Sequence, residues 1–99
     1  MFVIEYAEGV APDLARLRAY RRKEILDAID EHLTQEPHVE TRRRKKLPGL
    51  VPPWEHVAPV WELRAGEYRV FYDVDEANRI VKIRAIRYKP PHKTTEDIL

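Results

Sequence analysis

The 99-residue sequence contains no cysteine, no serine and only three glycines. Without cysteine there is no disulfide scaffold, no thiolate zinc site and no cysteine nucleophile. Without serine there is no serine triad, and four threonines are the only aliphatic hydroxyls. Three glycines cannot build a phosphate loop of the GxGxxG or Walker type. The commonest hydrolase and nucleotide-binding classes are therefore excluded.

Metal-binding and membrane signals are also missing. The four histidines are scattered, and near Pro37 only His32 and Glu36 share a helical i, i+4 spacing. A metal site needs three or four converging ligands, so no metal or other cofactor is expected. No apolar run approaches the roughly 18 residues of a membrane span, and Glu5 and Glu8 interrupt any N-terminal signal peptide. A cytoplasmic protein without membrane association is expected.

Charge is unevenly distributed along the chain. The composition, 43% hydrophobic and 35% charged, is that of one globular domain, residues 1–99, with any site at its surface. Residues 1–41 carry five Lys/Arg against nine Asp/Glu, whereas residues 42–99 carry thirteen against eight. A locally basic surface attracts phosphate because screening over about 10 Å lets nearby charges dominate. Nucleic acid is therefore the leading candidate ligand.

The N-terminal half reads as a strand followed by helix. Phe2 to Tyr6 alternate apolar and polar residues and predict a short strand. From Pro12, leucine and isoleucine recur at helical spacing until Pro37 prevents continuation. The run Arg21-Arg22-Lys23 is the candidate corner of a helical hairpin, with one bent helix as the alternative. Residues 37–59 hold five of the eight prolines and predict a long loop.

The C-terminal half reads as an antiparallel meander. Three segments alternate like strands: residues 60–64, 68–74 and 80–86. Helices in one block and strands in another predict an α+β domain, with the helices on one face of the sheet. Alternation assigns these residues to the helix-facing side: Trp61, Leu63, Tyr68, Val70, Tyr72, Val81, Ile83 and Ala85.

The opposite face is predicted to be open and basic. Alternation gives it these residues: Glu62, Arg64, Arg69, Phe71, Lys82, Arg84 and Ile86. Arginine binds phosphate oxygens, and an exposed Phe71 can stack a base. Further candidate RNA-binding residues are a run of five cations at the edge of this face, and one in the tail: Arg42, Arg43, Arg44, Lys45, Lys46 and Lys93. The competing interpretation is solvated cations paired with acidic neighbours.

The shortage of nucleophiles favours a reaction in which the substrate supplies its own. RNA can do so through its 2′-hydroxyl. The protein then needs only to hold the phosphate, stabilise charge in the pentacoordinate state and move protons. Arginine and lysine can supply most of these functions.

The segment Leu63–Val74 contains Gly66-Glu67-Tyr68-Arg69, and the last strand is followed by Arg87-Tyr88-Lys89. In these features, and in Arg44-Lys45-Lys46-Leu47 and Trp61, the sequence resembles the RelE/ParE superfamily of type II toxins. The resemblance covers nearly the whole chain and implies the RelE-like order of strand, helical hairpin and meander.

A RelE-like toxin is expected to be a ribosome-dependent endoribonuclease that cleaves mRNA by 2′-hydroxyl attack. The resemblance also implies a cognate antitoxin that blocks it. ParE-like members share the fold but bind DNA gyrase and are not nucleases. That activity and an inactive, antitoxin-binding member are the alternatives.

The resemblance to RelE assigns roles to five residues. Arg69 matches the arginine that contacts the scissile phosphate, and Arg64 lies where a strand lysine helps to carry charge. Lys89 matches a position held by arginine in RelE and by histidine in a related nuclease toxin, where proton donation to the leaving oxygen is proposed. Arg87 and Tyr88 are candidates to share that proton transfer.

Two departures from RelE leave the general base open. Glu62 stands where RelE has a second strand lysine, and no residue from Pro90 to Leu99 clearly replaces RelE's C-terminal tyrosine. Tyr88 is the first candidate for the base. Glu62 and Glu55 are alternatives if desolvation raises the carboxylate pKa.

Overall fold

The computed structural model describes all 99 residues. The elements are β1 (Val3–Tyr6), α1 (Val10–Ala15), α2 (Ala19–Leu33), β2 (Arg44–Leu47), β3 (Val60–Ala65), β4 (Tyr68–Asp75), β5 (Ile80–Tyr88) and a 3₁₀ turn (Glu96–Ile98). The strands form one sheet in the order β1-β5-β4-β3-β2, in which β1 is parallel to β5 and the other pairs are antiparallel. Neither helix is long and apolar enough to cross a membrane. The predicted α+β class is confirmed.

The corner between the helices lies earlier than the basic run suggested. Arg18 is extended, with φ −64° and ψ 151°, and its carbonyl accepts N–H bonds from Arg21 and Arg22. The run at residues 21–23 therefore begins α2 instead of ending α1. Leu17, at this corner, packs against the main core. Nonpolar contact, without a glycine, sets this corner.

The main core lies between the helices and one face of the sheet. Its buried residues are Phe2, Val10, Ile25, Ile29, Leu33, Trp61, Leu63, Ala65, Val70, Tyr72, Val81, Ile83 and Ile86. The Tyr72 hydroxyl donates a hydrogen bond of 2.8 Å to the Pro37 carbonyl, and burial raises the pKa of this tyrosine. A buried hydroxyl with a partner avoids the desolvation cost of an unpaired polar group. The helix-facing assignments in β3 and β4 are thus confirmed.

A β-bulge reverses the alternation in the middle of β5. Phe71 lies opposite Ala85, but the next residue, Tyr72, lies opposite Ile83, which leaves Arg84 as the extra residue. One extra residue changes which face every later side chain occupies. The predictions for Ala85 and Ile86 are therefore wrong: Ile86 joins the main core, and Ala85 lies on the opposite face.

The second face of the sheet, opposite the helices, is partly covered. Val60, Phe71 and Ala85 form a small second core there. Nonpolar residues of the proline-rich loop and C-terminal tail pack on it: Leu47, Leu50, Trp54, Ile98 and Leu99. Phe71 has 0% of its surface exposed, and its ring centroid lies 5.2 Å from that of Trp54. The prediction of an exposed, base-stacking Phe71 is wrong because these segments fold over the face.

Part of the predicted loop is an edge strand. β2 pairs with β3, so that Lys45 lies opposite Glu62. Its outer edge is occupied: the Arg44 carbonyl accepts the Thr41 N–H at 2.9 Å, and the Lys46 N–H donates to Glu40 at 3.3 Å. Consecutive Arg and Lys have little intrinsic strand preference, so pairing with β3 determines this structure. The basic run consequently sends alternate side chains to different faces.

Candidate functional site

An open cleft of about 290 Å³ lies on the second face of the sheet, beside the β3–β4 turn. Eight polar residues line it: Arg42, Arg43, Lys45, Glu62, Arg64, Arg69, Lys89 and Thr95. Six of the eight are cationic and one is acidic. Of the cations, only Arg69 forms an ion pair with a carboxylate. Such a surplus of unpaired positive charge is suited to binding a polyanion.

Strand register brings the central cations together. Arg64 lies directly opposite Arg69 in the β3–β4 pair. Lys89 follows the end of β5, and its N–H donates to the Glu67 carbonyl at 2.7 Å. Like charges opposite each other destabilise a sheet. A bound anion would relieve this repulsion.

Arg69 is the most constrained of these cations, with only 7% of its surface exposed. Its Nη1 donates to the carbonyls of Gly66 at 3.0 Å and Tyr68 at 2.9 Å, and its Nε lies 3.6 Å from Glu62 Oε1. Burial lowers the pKa of Arg69, Glu62 opposes that change, and Arg64 adds to it. The arginine nevertheless remains charged, because guanidinium groups stay protonated in proteins. It is a cation of fixed orientation.

The β3–β4 turn supports Arg69 through its backbone. Gly66 has φ +62°, a left-handed conformation that glycine adopts without steric cost. In this turn the Gly66 carbonyl points toward Arg69 Nη1. The Gly66-Glu67-Tyr68-Arg69 segment therefore contains both the cation and the acceptors that orient it.

The single carboxylate of the cleft is held by the C-terminal tail. Glu62 has 8% of its surface exposed, and Oε1 accepts a hydrogen bond of 3.1 Å from Thr95 Oγ1. Sequence reasoning treated Thr95 only as a remaining hydroxyl and did not place it in a site. The spacing Thr94-x-x-Asp97, typical of a helix-capping motif, was the available signal that the tail is ordered.

The structure divides the five predicted catalytic residues. Three of them line the cleft: Arg64, Arg69 and Lys89. Arg87 lies outside its lining, because Nη1 donates to Asp13 Oδ2 at 2.9 Å and the guanidinium lies 5.2 Å from the Trp54 ring centroid. Tyr88 is 49% exposed and packs against Tyr68, toward the helix side of the sheet.

The predicted RNA-binding run is divided in the same way. Three of its members line the cleft: Arg42, Arg43 and Lys45. Arg44 instead donates from Nε to the Val39 carbonyl at 2.9 Å and from Nη1 to the His32 carbonyl at 2.7 Å. It therefore satisfies an acceptor in the last turn of α2. Lys46 lies opposite Trp61, whose side chain belongs to the helix-facing core.

The remaining predicted cations lie away from the cleft. Lys82 Nζ is 3.6 Å from Glu5 Oε1, and Arg84 Nε donates to the buried Asp73 at 2.7 Å. Lys93 is exposed in the tail and does not line the cleft. The predicted continuous surface around Phe71 is thus replaced by a compact cleft and a separate, ion-paired region.

The cleft has the groups needed for phosphate chemistry. Arg64 and Arg69 can stabilise negative charge, and Lys89 can donate a proton. Among the three candidate general bases, only Glu62 lines the cleft; Tyr88 and Glu55 line other depressions of the surface. No group of three or more His, Asp or Glu side chains is arranged to hold a metal ion.

Solved structures of RelE-type toxins and toxin–antitoxin complexes have a similar fold. A chain of the RelE–RelB complex from Pyrococcus horikoshii is similar with a TM-score of 0.69 and 23% identity, over 94% of this chain and 98% of that one. A chain of the RelBE2 toxin–antitoxin complex from Mycobacterium tuberculosis gives 0.71 and 20%, over 89% and 98%. The isolated E. coli RelE toxin gives 0.60 and 14%, over 97% and 90%.

Sequence comparison assigns the family. At 14–23% identity the structural similarities establish the fold alone. No curated protein sequence matches the chain. The family model described as the ParE toxin of the type II toxin–antitoxin system, parDE, matches residues 4–89, which is most of the chain. The chain therefore belongs to the RelE/ParE family of type II toxin–antitoxin toxins.

Proposed function

We propose that this toxin is an endoribonuclease that cleaves mRNA on the ribosome by attack of the RNA 2′-hydroxyl on the adjacent phosphodiester. The main support is the cleft at Arg69, where a buried, oriented guanidinium is surrounded by cations that lack acidic partners. A phosphodiester supplies the missing negative charge. RNA also supplies its own nucleophile, whereas the protein has no serine or cysteine and only four threonines that could serve as one.

In the proposed reaction the 2′-oxygen forms a bond to phosphorus and the bond to the 5′-oxygen breaks. The 2′-hydroxyl proton passes to a base, for which Glu62 is the candidate within the cleft, and Lys89 gives a proton to the leaving oxygen. Arg64 and Arg69 stabilise the additional charge of the pentacoordinate state. The products are a 2′,3′-cyclic phosphate and a free 5′-hydroxyl, so atoms and charge balance without another reactant.

A cognate antitoxin belongs to the same proposal. Structural relatives from Pyrococcus horikoshii and Mycobacterium tuberculosis are complexes of a toxin with its antitoxin. For this chain we infer a partner whose acidic segments neutralise the cleft cations and whose amphipathic segments cover the helices. The proposed molecule is a single domain, residues 1–99, that acts in the cytoplasm and needs no metal or other cofactor.

Induction of the toxin in growing cells, followed by primer extension on a translated transcript, tests the proposed activity. New 5′ ends inside the coding sequence are expected within minutes, and they should disappear when translation initiation is blocked. Cells that express Arg69→Gln at the same level are the control and should show intact transcripts.

Gyrase inhibition is the second candidate function because the matching family model is that of ParE toxins. The same induced cells distinguish gyrase inhibition from RNA cleavage. Intact transcripts together with relaxed plasmid DNA and chromosome breaks would replace the nuclease proposal with a gyrase-directed one. Intact transcripts and normal supercoiling in cells without the antitoxin would instead indicate an inactive, antitoxin-binding member.

A further inference from the structure

The cleft carboxylate, Glu62, is the link between the C-terminal tail and Arg69. Its Oε1 accepts a hydrogen bond of 3.1 Å from Thr95 Oγ1 and lies 3.6 Å from Arg69 Nε. Glu62 is also opposite Lys45 in the sheet and shares the cleft with Arg64. Several cations therefore compete for one carboxylate, and the threonine bond favours the rotamer that faces Arg69.

The tail that carries Thr95 is fixed at both ends. On one side, the Thr94 N–H donates to Asp97 at 3.0 Å, and the Asp97 N–H donates back to the Thr94 hydroxyl at 3.4 Å. On the other side, Ile98 and Leu99 pack against the second core. The Thr95 hydroxyl is consequently presented from an ordered turn.

The guanidinium of Arg69 has one edge without a protein partner. Nη1 is occupied by two carbonyls, and Nε faces Glu62. Nη2 has no hydrogen-bond partner, and it is not among the buried unsatisfied atoms. The direction of that free edge depends on the groups that hold the other nitrogens.

We propose that Thr95 is a positioning residue that acts through Glu62: its hydroxyl holds the carboxylate against Arg69 Nε and thereby directs the free edge of Arg69 toward a bound phosphate. The identity of that phosphate as an RNA phosphodiester rests on the proposed function. The linkage between Thr95, Glu62 and Arg69 does not. The C-terminal turn is thus part of the cleft and not only a cover for the second core.

Two substitutions at one position test the kinetic consequence. Thr95→Val removes the hydroxyl with little change in volume and should lower kcat for ribosome-bound mRNA about 10- to 100-fold, as loss of a supporting hydrogen bond does elsewhere, with little change in KM. Thr95→Ser should restore kcat. Thr34→Val is the matched control, because it removes a threonine hydroxyl that donates to the Asp30 carbonyl and lies outside both the cleft and the tail. Equal kcat for wild type and Thr95→Val would overturn the proposal.

A measurement on the protein alone separates this proposal from the proposed function. The Nε–H resonance of Arg69 in a ¹H–¹⁵N NMR spectrum should shift and exchange faster with solvent in Thr95→Val and Glu62→Ala, but not in Thr95→Ser. An unchanged resonance in folded Thr95→Val would refute the linkage even if the toxin cleaves RNA. If the wild-type toxin cleaves no RNA but the variants show the expected changes in the Arg69 resonance, the linkage is supported and only the nuclease function is refuted.

Discussion

The second face of the sheet carries Arg and Lys at both ends, but most of these cations are unpaired at one end and ion-paired at the other. At the cleft end, Arg64 and Lys89 have no acidic partner, and Arg69 shares the one carboxylate. At the other end, Lys82 pairs with Glu5 and Arg84 pairs with Asp73. The second core around Phe71 lies between the two ends.

The difference shows that partners, not the abundance of Arg and Lys, determine where an anion binds. A cation that already pairs with a buried carboxylate gains little from phosphate, since the existing hydrogen bond must first be broken. An unpaired cation close to other cations gains more. Only the cleft end combines charge, exposure of free donors and an oriented arginine.

Replacement of Phe71 by alanine tests whether the second core separates the two ends without contacting RNA. It should have the largest effect on stability. Phe71→Ala is expected to lower the free energy of unfolding by about 3–5 kcal/mol, because a fully buried ring leaves a cavity. Urea denaturation measures this change. RNA cleavage assayed where the variant is still folded should be nearly normal. A stable variant that has lost RNA binding would show that the ring contacts RNA.

The paired substitutions Arg69→Gln and Arg84→Gln compare the two ends directly. Arg69→Gln should lower the rate of cleavage about 10²–10³-fold, as expected for a group that stabilises transition-state charge. It should also cost about 1.5–3 kcal/mol of stability, because Glu62 and two carbonyls lose their partner. Arg84→Gln should retain cleavage but lose about 1.5–3 kcal/mol of stability, since Asp73 loses a charged hydrogen bond. Single-turnover cleavage and urea denaturation measure the two effects. Loss of cleavage in Arg84→Gln together with normal cleavage in Arg69→Gln would contradict the comparison.

The basic run allows a smaller test within a few residues. Replacement of Arg42, Arg43 and Lys45 together by glutamine should weaken RNA binding and reduce the slope of log K against log salt by about 2, at roughly 0.7 per phosphate contact. Arg44→Gln should leave that slope unchanged but destabilise the end of α2. Fluorescence anisotropy with a short single-stranded RNA at several salt concentrations measures the slope. Equal slopes for the triple variant and wild type would contradict the proposal that Arg42, Arg43 and Lys45 contact RNA phosphates.

Acidification should have the smallest effect, at the tail that forms one wall of the cleft. The hydrogen bonds from Thr94 lower the pKa of Asp97 below its ordinary 3.8. The stabilisation is therefore complete above pH 3.8 and is lost as the pH falls through the lower pKa of the folded state. NMR signals of the Leu99 methyl groups should show earlier fraying than the main core. In Asp97→Asn the Leu99 signals should lack this pH dependence. Identical pH titrations of the Leu99 signals in Asp97→Asn and wild type would contradict the prediction.

Local patterns were sufficient for most of the fold. The helical spacing of leucine and isoleucine after Pro12 predicted helix, and Ile25, Ile29 and Leu33 of α2 are buried in the core. Alternation predicted the inward residues of β3 and β4. Three features depended on contacts between distant segments. These were the corner at residues 16–18, the pairing of a charged β2, and the bulge at Arg84. None of the three has a distinctive local composition.

The sequence named most of the residues that line the cleft, but it did not show what surrounds them. Arg64, Arg69 and Lys89 were named from the resemblance to RelE, and all three line one cleft, in which strand register pairs Arg64 with Arg69. Phe71 was misassigned because alternation gives the face of a residue but not what folds over it. Thr95 was missed because it lies 33 residues from Glu62, its partner, and no period connects them. Side-chain partners across long sequence separations have no signature in a single sequence.

Cleavage of an mRNA with one 2′-deoxynucleotide at the mapped cut site, programmed on purified ribosomes, tests the central claim most directly. If the cleft only holds the phosphate and the RNA supplies the nucleophile, the toxin should not cut at that position. It should cut the matching all-ribose mRNA and leave a 2′,3′-cyclic phosphate. Cleavage of the deoxy-substituted site at the same rate would contradict the account.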